Sequence, residues 1–394
     1  MKKVEEPTVR KTLTVATSRI RWQPVIGLVA AIVVMSMVVP SRGQLHHVPP
    51  AAPSFTVLYS FPGYPTDGWQ PYAGLARDAA GNLYGTTSAG GASGWGVVFK
   101  LGSTGTETIL HTFTGGADGG GPSGGLVQDA GGNLYGTTAD GGAFSPCSQG
   151  PLGGSNGGCG AVFKLGSSGT ETVLYNFSGG PDGANPLGGL IRDAAGNLYG
   201  TTVAGGVGSK LCAGGCGTVF KVAPSGAETV LHSFTGGADG GQPTDGLISD
   251  AAGNLYGTTI EGGERSGACS AGGGSCGVVF KLSPTGTYTV LHSFTGGADG
   301  GNPDAGLIQD AAGNLYGTTY GGGASSLGVV FELIRCDSGS SGYDFKVLHS
   351  FTGPDGASPY SPLVRDAAGN FYGTAAHGGA YGGGANGVVF RLTP

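Results

Sequence analysis

The chain has 394 residues, of which 85 are glycine and 22 proline, and only 11% are charged. Residues 1–43 hold seven Lys/Arg against two Asp/Glu, so the remainder, with 12 basic and 23 acidic side chains, carries a net charge of −11. An acidic body of this kind lacks the clustered cations that a phosphate backbone demands, which argues against nucleic acid as a partner.

At the N-terminus, Lys2, Lys3, Arg10, Lys11, Arg19 and Arg21 precede an apolar run from Val25 to Val39, closed by Pro40. That run of 15 residues is shorter than the roughly 20 needed to cross a bilayer and matches the h-region of a signal peptide. Ser41 and Gly43 are small residues placed for cleavage before Gln44, and an uncleaved membrane anchor is the alternative reading of residues 1–43. Either way the basic side stays in the cytoplasm and the rest is exported, secreted, periplasmic or cell-surface, touching a membrane only through this segment. Residues 44–54 read as a linker.

From residue 55 to 394 one pattern recurs six times: G-L-x-x-D-A-x-G-N-[LF]-Y-G-T, a Gly-Gly loop, G-x-V-F-[KER]-[LV], then V-L-[HY]-x-F. Its asparagine falls at Asn82, Asn133, Asn197, Asn254, Asn314 and Asn370, spacings of 51, 64, 57, 60 and 56 residues. Glycine recurring in register between short apolar runs punctuates strands, and this period fits a four-stranded propeller blade. In the fifth copy the strands are expected at Gly306–Asp310, Leu315–Thr319, Val329–Leu333 and Val347–Phe351, with an Ala-Ala-Gly-Asn turn joining the first two. The pattern begins on a fourth strand (Thr56–Phe61) and ends on a third (Val388–Leu392). A six-bladed, all-β propeller with four antiparallel strands per blade is therefore expected, closed by the N-terminal strand joining the C-terminal blade.

Repetition also sorts the side chains. Asp310 and its five equivalents precede a turn and are expected to accept its backbone N–H groups. Phe61, Phe113, Phe177, Phe234, Phe294 and Phe351 close the fourth strands, and Phe99, Phe163, Phe220, Phe280, Phe331 and Phe390 share a third-strand position. Both sets, with the second-strand tyrosines, read as inter-blade packing. His111, His232, His292 and His349 alternate with Tyr59 and Tyr175 at one position, an exchange that ligand duty would not tolerate.

The string G-L-x-x-D-A-A-G-N-L-Y-G-T-T…G-G…G-V-V-F-K-L resembles the tandem repeat of bacterial choice-of-anchor GloVer-containing proteins and, more distantly, the D-x-x-G-N-[IL]-Y-V strand pair of NHL-type propellers. The resemblance covers residues 55–394 and implies an exported or surface-attached β-propeller. The ending Arg391-Leu392-Thr393-Pro394 departs from the family's sorting signals, so any attachment is expected from the N-terminal segment.

Candidate site residues are those on the face where fourth-to-first and second-to-third loops converge. Asp67, Asp118, Asp182, Asp239, Asp299 and Asp355 each precede a glycine there. They read as turn-formers, with a Ca²⁺-binding carboxylate ring as the sharper alternative; no other cofactor is implied. Two residues after each Thr-Thr pair or its Thr-Ala counterpart, the copies hold Ala89, Asp140, Ala204, Glu261, Gly321 and His377. The ionisable three would be the acid/base or metal constellation of an enzyme, although their strands start about 10 Å or more apart. Trp69, Tyr72 and Trp95 interrupt the small residues of the other copies and could stack on a sugar. Cys147 and Cys159, Cys212 and Cys216, and Cys269 and Cys276 fall in pairs within single loops and are expected to form local disulfides, although six cysteines allow 15 connectivities; Cys336 is left over. The favoured reading is a monomeric, non-catalytic binding or scaffold module for carbohydrate or a cell-envelope polymer. The alternatives are a lyase or hydrolase working through Asp140, Glu261 and His377, and a purely structural surface protein.

Overall fold

A computed structural model describes residues 57–144, 147, 157–208, 210–212, 214–264, 276–336, 342–379 and 387–393. The signal-segment and linker assignments lie outside them. Residues Thr56–Pro394 form one compact unit.

Five four-stranded antiparallel sheets and one three-stranded sheet follow one another as the blades of a six-bladed propeller. In blade 4 the strands are Ile248–Ser249, Leu255–Thr259, Val278–Leu282 and Tyr288–Ser293, paired in chain order. The first strand of every blade has two residues, where the sequence pattern of blade 5 predicts five (Gly306–Asp310 against the observed Ile308–Gln309). In blades 2 to 5 its inner end is held across blades instead. Thr86, Thr137, Thr201 and Thr258 each donate a side-chain hydrogen bond to a carbonyl of the next blade, at Gly124 (3.3 Å), Gly188 (3.1 Å), Asp245 (2.9 Å) and Ala305 (3.2 Å). At Gly188 the blades approach backbone to backbone: a β-carbon there would lie 2.5 Å from the main chain of Asp245.

The expected turn chemistry is present. Asp310 accepts the N–H of Ala312 and of Asn314 (both 2.9 Å), the Asn314 side-chain amide (3.1 Å) and the Tyr316 hydroxyl (3.0 Å). Gly313 takes a φ of +88°, which a side chain would strain. The phenylalanines pair edge-on across junctions, Phe113–Phe163 at 5.2 Å, Phe177–Phe220 at 5.0 Å and Phe234–Phe280 at 5.4 Å, all fully buried. The fourth-strand histidines pack edge-on too, His111 on Phe113 at 4.7 Å, as a structural role requires.

In blades 1, 2, 3 and 5 the residue before the G-x-V-F segment fills one recurring slot. In blade 1 it is Trp95, whose ring lies 2.3 Å from where a β-carbon of Gly115 would stand. In blades 2 and 3 disulfides Cys147–Cys159 and Cys212–Cys216 lie over the equivalent Gly179 and Gly236. Cys276 is also disulfide-bonded; its expected partner, Cys269, lies outside the described residues. Cys336 is a free thiol. A loop as short as Cys212–Cys216 gains roughly 2 kcal/mol from closure, so C212S/C216S is expected to lower the urea midpoint modestly without changing the denaturant slope.

The closing strand expected at Thr56–Phe61 is not formed among the described residues. No strand forms over residues 57–61, and among the described residues the last blade has Val364–Arg365, Phe371–Ala375 and Val388–Leu392. The segment is instead seated on blade 1: Phe61 meets Phe99 at 5.0 Å, and the Tyr59 hydroxyl donates to Asp67 at 2.6 Å. It therefore holds the position a preceding fourth strand would have, without the pairing. Both sides of this seam are bare. Val389 is 81% exposed and Leu75 54%, whereas the equivalents Val98 and Leu126 are at 0% and 9%.

Candidate functional site

The loops of one face are tied together within each blade. Single bridges join Gly120 to Asp140, Ala184 to Ala204, Gly241 to Glu261, Gly301 to Gly321 and Ala357 to His377. In blade 1 the same join is a two-stranded sheet, Gly68–Trp69 with Ala89–Gly90. Asp140, Glu261 and His377 thus occupy one structural position on blades 2, 4 and 6. Burial pushes the carboxyls of Asp140 and Glu261 above their ordinary range, while His377 is exposed. No hydrogen bond or ion pair joins the three among the described residues, and no three His, Cys, Asp or Glu side chains there converge to hold a metal ion.

The loop aspartates act as turn-formers. Asp182 accepts the Ser178 N–H (2.7 Å), its hydroxyl (2.5 Å) and the Tyr175 hydroxyl (2.9 Å). Asp118 and Asp239 accept the amide and hydroxyl of Thr114 and Thr235. Asp299 takes the same two donors from Thr295, and Asp355 those of Thr352 together with His349 Nε2 at 2.8 Å. In blade 1, Asp67 binds Tyr59 and the Gly68 N–H.

Beneath this face, the start of each fourth strand meets the ring of the preceding blade. Tyr288 stacks on His232 at 3.9 Å and Phe345 on His292 at 3.8 Å. Glu171 and Glu228 fill the same position, each with a buried Oε1 that has no hydrogen-bond partner among the described residues. Burial, then the nearby Asp118 or Asp182, pushes these two carboxyls up to about 7. A carboxyl whose folded pKa is raised binds protons more tightly when folded, so its stabilising contribution is full below about pH 4 and lost as pH rises through 7. The thermal midpoint is accordingly expected to fall between pH 5 and pH 8, by less in E171Q/E228Q; an unchanged pH profile in that variant would refute the assignment.

The aromatic candidates divide. Trp69 is 49% exposed and Tyr72 71%. Trp95 is half-buried, its ring turned inward over Gly115 and Gly120. The structure adds two residues that the sequence reading passed over: Tyr320 and Tyr360, on blades 5 and 6, with centroids 4.9 Å apart and planes tilted by 36°. Both are exposed, at 39% and 44%. Their signal was present as departures from the repeat. Tyr320 stands where other copies have Ser88, Ala139, Val203, Ile260 and Ala376, and Tyr360 follows its loop proline as Tyr72 does.

Six blades whose non-repeating aromatic and ionisable side chains gather on one loop face define a β-propeller with a variable loop surface. The profile of the Gloeobacter/Verrucomicrobia repeat matches residues 31–269 and 213–394, and the chain belongs to that family. No curated protein matches the sequence. Solved structures similar to it include a Bacteroides uniformis protein assigned as a 6-phosphogluconolactonase (15% identity, 80% of each chain covered, TM-score 0.46). The extracellular domain of the one-component system BT4673 of B. thetaiotaomicron is also similar (14% identity, 79% of this chain and 34% of that one, TM-score 0.47). A luciferin-regenerating enzyme is a third (14% identity, 83% and 92% covered, TM-score 0.46).

Proposed function

We propose that the protein is an exported, non-catalytic binding module whose loop face takes carbohydrate or a cell-envelope polymer. The observation that carries this reading is the exposure of Trp69 and Tyr72 at positions where the other blades hold mostly small or polar residues. A large ring left in water on a convergent loop face has an unused apolar surface, and sugar C–H faces match it. Tyr320 and Tyr360 extend the same kind of surface on blades 5 and 6. Local disulfides support export, since such bonds persist in oxidising compartments.

Titration with a panel of soluble polysaccharides tests the reading. A stacking ring contributes about 0.5–1.5 kcal/mol, so W69A and Y72A are each expected to weaken binding roughly 2–10-fold, while W95A acts through folding. Retained affinity in the W69A/Y72A double variant would sink the idea. The enzymatic alternative rests on the raised carboxyls of Asp140 and Glu261. It requires released product in the same titration, abolished in D140N or E261Q with the melting curve unchanged.

A further inference from the structure

At the opposite ends of the strands, where the Asp-Ala-Ala-Gly-Asn turns lie, grooves run between consecutive blades. Each is walled by the second-strand tyrosine of one blade and the turn of the next. The cavity between blades 3 and 4 measures about 940 Å³ and that between blades 1 and 2 about 540 Å³.

Two other junctions show what fits such a groove, because the chain fills them itself. Between blades 2 and 3 the Arg192 guanidinium stands 5.7 Å from the centroid of Tyr135. Between blades 5 and 6 Arg365 stands 5.9 Å from that of Tyr316. The same first-strand position is Gln128 at junction 1–2 and Ser249 at junction 3–4, neither of which brings a guanidinium to Tyr84 or Tyr199. At junction 4–5 it is Gln309, but Arg335 lines that opening instead. Junctions 1–2 and 3–4 therefore keep the tyrosine without a guanidinium stacked on it, with Arg192 reaching only the rim of the 3–4 opening.

In both, the tyrosine hydroxyl is anchored by the aspartate of its own turn. Asp78 is bound by the Asn82 N–H (2.8 Å), the Asn82 side-chain amide (2.7 Å) and the Tyr84 hydroxyl (3.0 Å), and Asp193 is bound likewise by Asn197 and Tyr199. The Asn82 amide holds the Asp78 carboxyl below its ordinary range; at Asp193 the Asn197 bonds outweigh burial to the same effect. Lysine already lies near each tyrosine, Lys100 at 5.8 Å and Lys221 at 6.0 Å. That does not exclude a second cation, since Tyr135 carries both Lys164 (5.8 Å) and Arg192 (5.7 Å).

We propose that the grooves at junctions 1–2 and 3–4 each bind the guanidinium of an arginine side chain from a basic polypeptide partner, in the place Arg192 fills at junction 2–3. A planar guanidinium stacks on a tyrosine face and offers donors to a carboxylate edge, which a compact ammonium does less well. The net charge of −11 on residues 44–394 favours approach of such a partner.

Calorimetric titration of the full chain with N-acetyl-arginine amide tests this. Saturable binding with two sites per chain is expected, weakening as salt rises, with no binding of the uncharged N-acetyl-citrulline amide. Q128R places at junction 1–2 the residue blade 3 already carries and should reduce the stoichiometry from two to one. R365S should open junction 5–6 and raise it to three. Melting curves verify that each variant is folded. No binding, equal binding of the citrulline analogue, or a stoichiometry unmoved by both substitutions overturns the proposal. An amino-sugar oligomer that binds where the arginine probe does not would also overturn it. Because these grooves lie away from the loop face, loss of polysaccharide binding in W69A/Y72A leaves this result unaffected.

Discussion

Replacing Phe220 by alanine is expected to destabilise the propeller by about 3–5 kcal/mol, the cost of truncating a fully buried phenylalanine and leaving its cavity. Phe220 is at 0% exposure, meets Phe177 of the preceding blade at 5.0 Å, and belongs to the cluster in which Leu190, Leu198 and Val222 close the junction of blades 2 and 3. The surroundings cannot relax into the space easily. A β-carbon at Gly200 would already lie 2.6 Å from the Phe220 ring, so this strand pair is packed to contact. Against a total stability of roughly 5–15 kcal/mol, such a loss brings the chain close to unfolding. Urea denaturation measures it, with F144A as the reference. Phe144 is 49% exposed, and its loss is expected to change stability by no more than about 0.5 kcal/mol. Equal midpoints for the two variants would mean that the aromatic pairs do not hold the blades together.

The second large effect concerns the seam. Residues 57–61 stand against blade 1, while among the described residues nothing pairs with the outer edge of Val388–Leu392. Transferring the blade 1 register, in which Val97 opposes Thr112 and Val98 opposes His111, would place Ser60 opposite Val388 and Tyr59 opposite Val389. Pairing of that kind would bury Val389 and Leu75, each worth about 1.5–3 kcal/mol when fully covered. A cysteine pair at Ser60 and Val388, in a C336S background, is expected to cross-link within one chain and raise the thermal midpoint. A cross-linked dimer on a non-reducing gel would show instead that the strand is donated between copies. Failure to cross-link in either way would mean that the edge stays open.

The distinction between what was legible and what was not follows from the repeat. Asp310, Asn314 and Tyr316 were readable because the same local hydrogen bonds are made in every copy, and local chemistry is written in adjacent residues. The Phe113–Phe163 pairing was readable because two periodic aromatic positions must meet between neighbouring sheets. The threonine bonds to the next blade were not, since Thr86 and Gly124 are 38 residues apart and nothing in a Thr-Thr pair marks its acceptor. In the sequence Trp95 is indistinguishable from Trp69 and Tyr72, because all three break the pattern. Only the structure separates an irregular residue that fills the slot over Gly115 from two that face water. Tyr320 and Tyr360 were missed for the converse reason: each is a single departure in its own copy, and their pairing exists only across the junction of blades 5 and 6.

The threonine bonds also bear on how such a gene can change length. Each hook needs only a main-chain carbonyl in the following blade, which any side chain there supplies. Excising or duplicating one whole copy, for example the stretch between Gly188 and Asp245, would leave every hook with an acceptor. Recombination that joins equivalent positions of two copies would therefore keep the hooks intact. The number of blades would then be limited by whether the two ends of the array can meet, and not by the junctions between them.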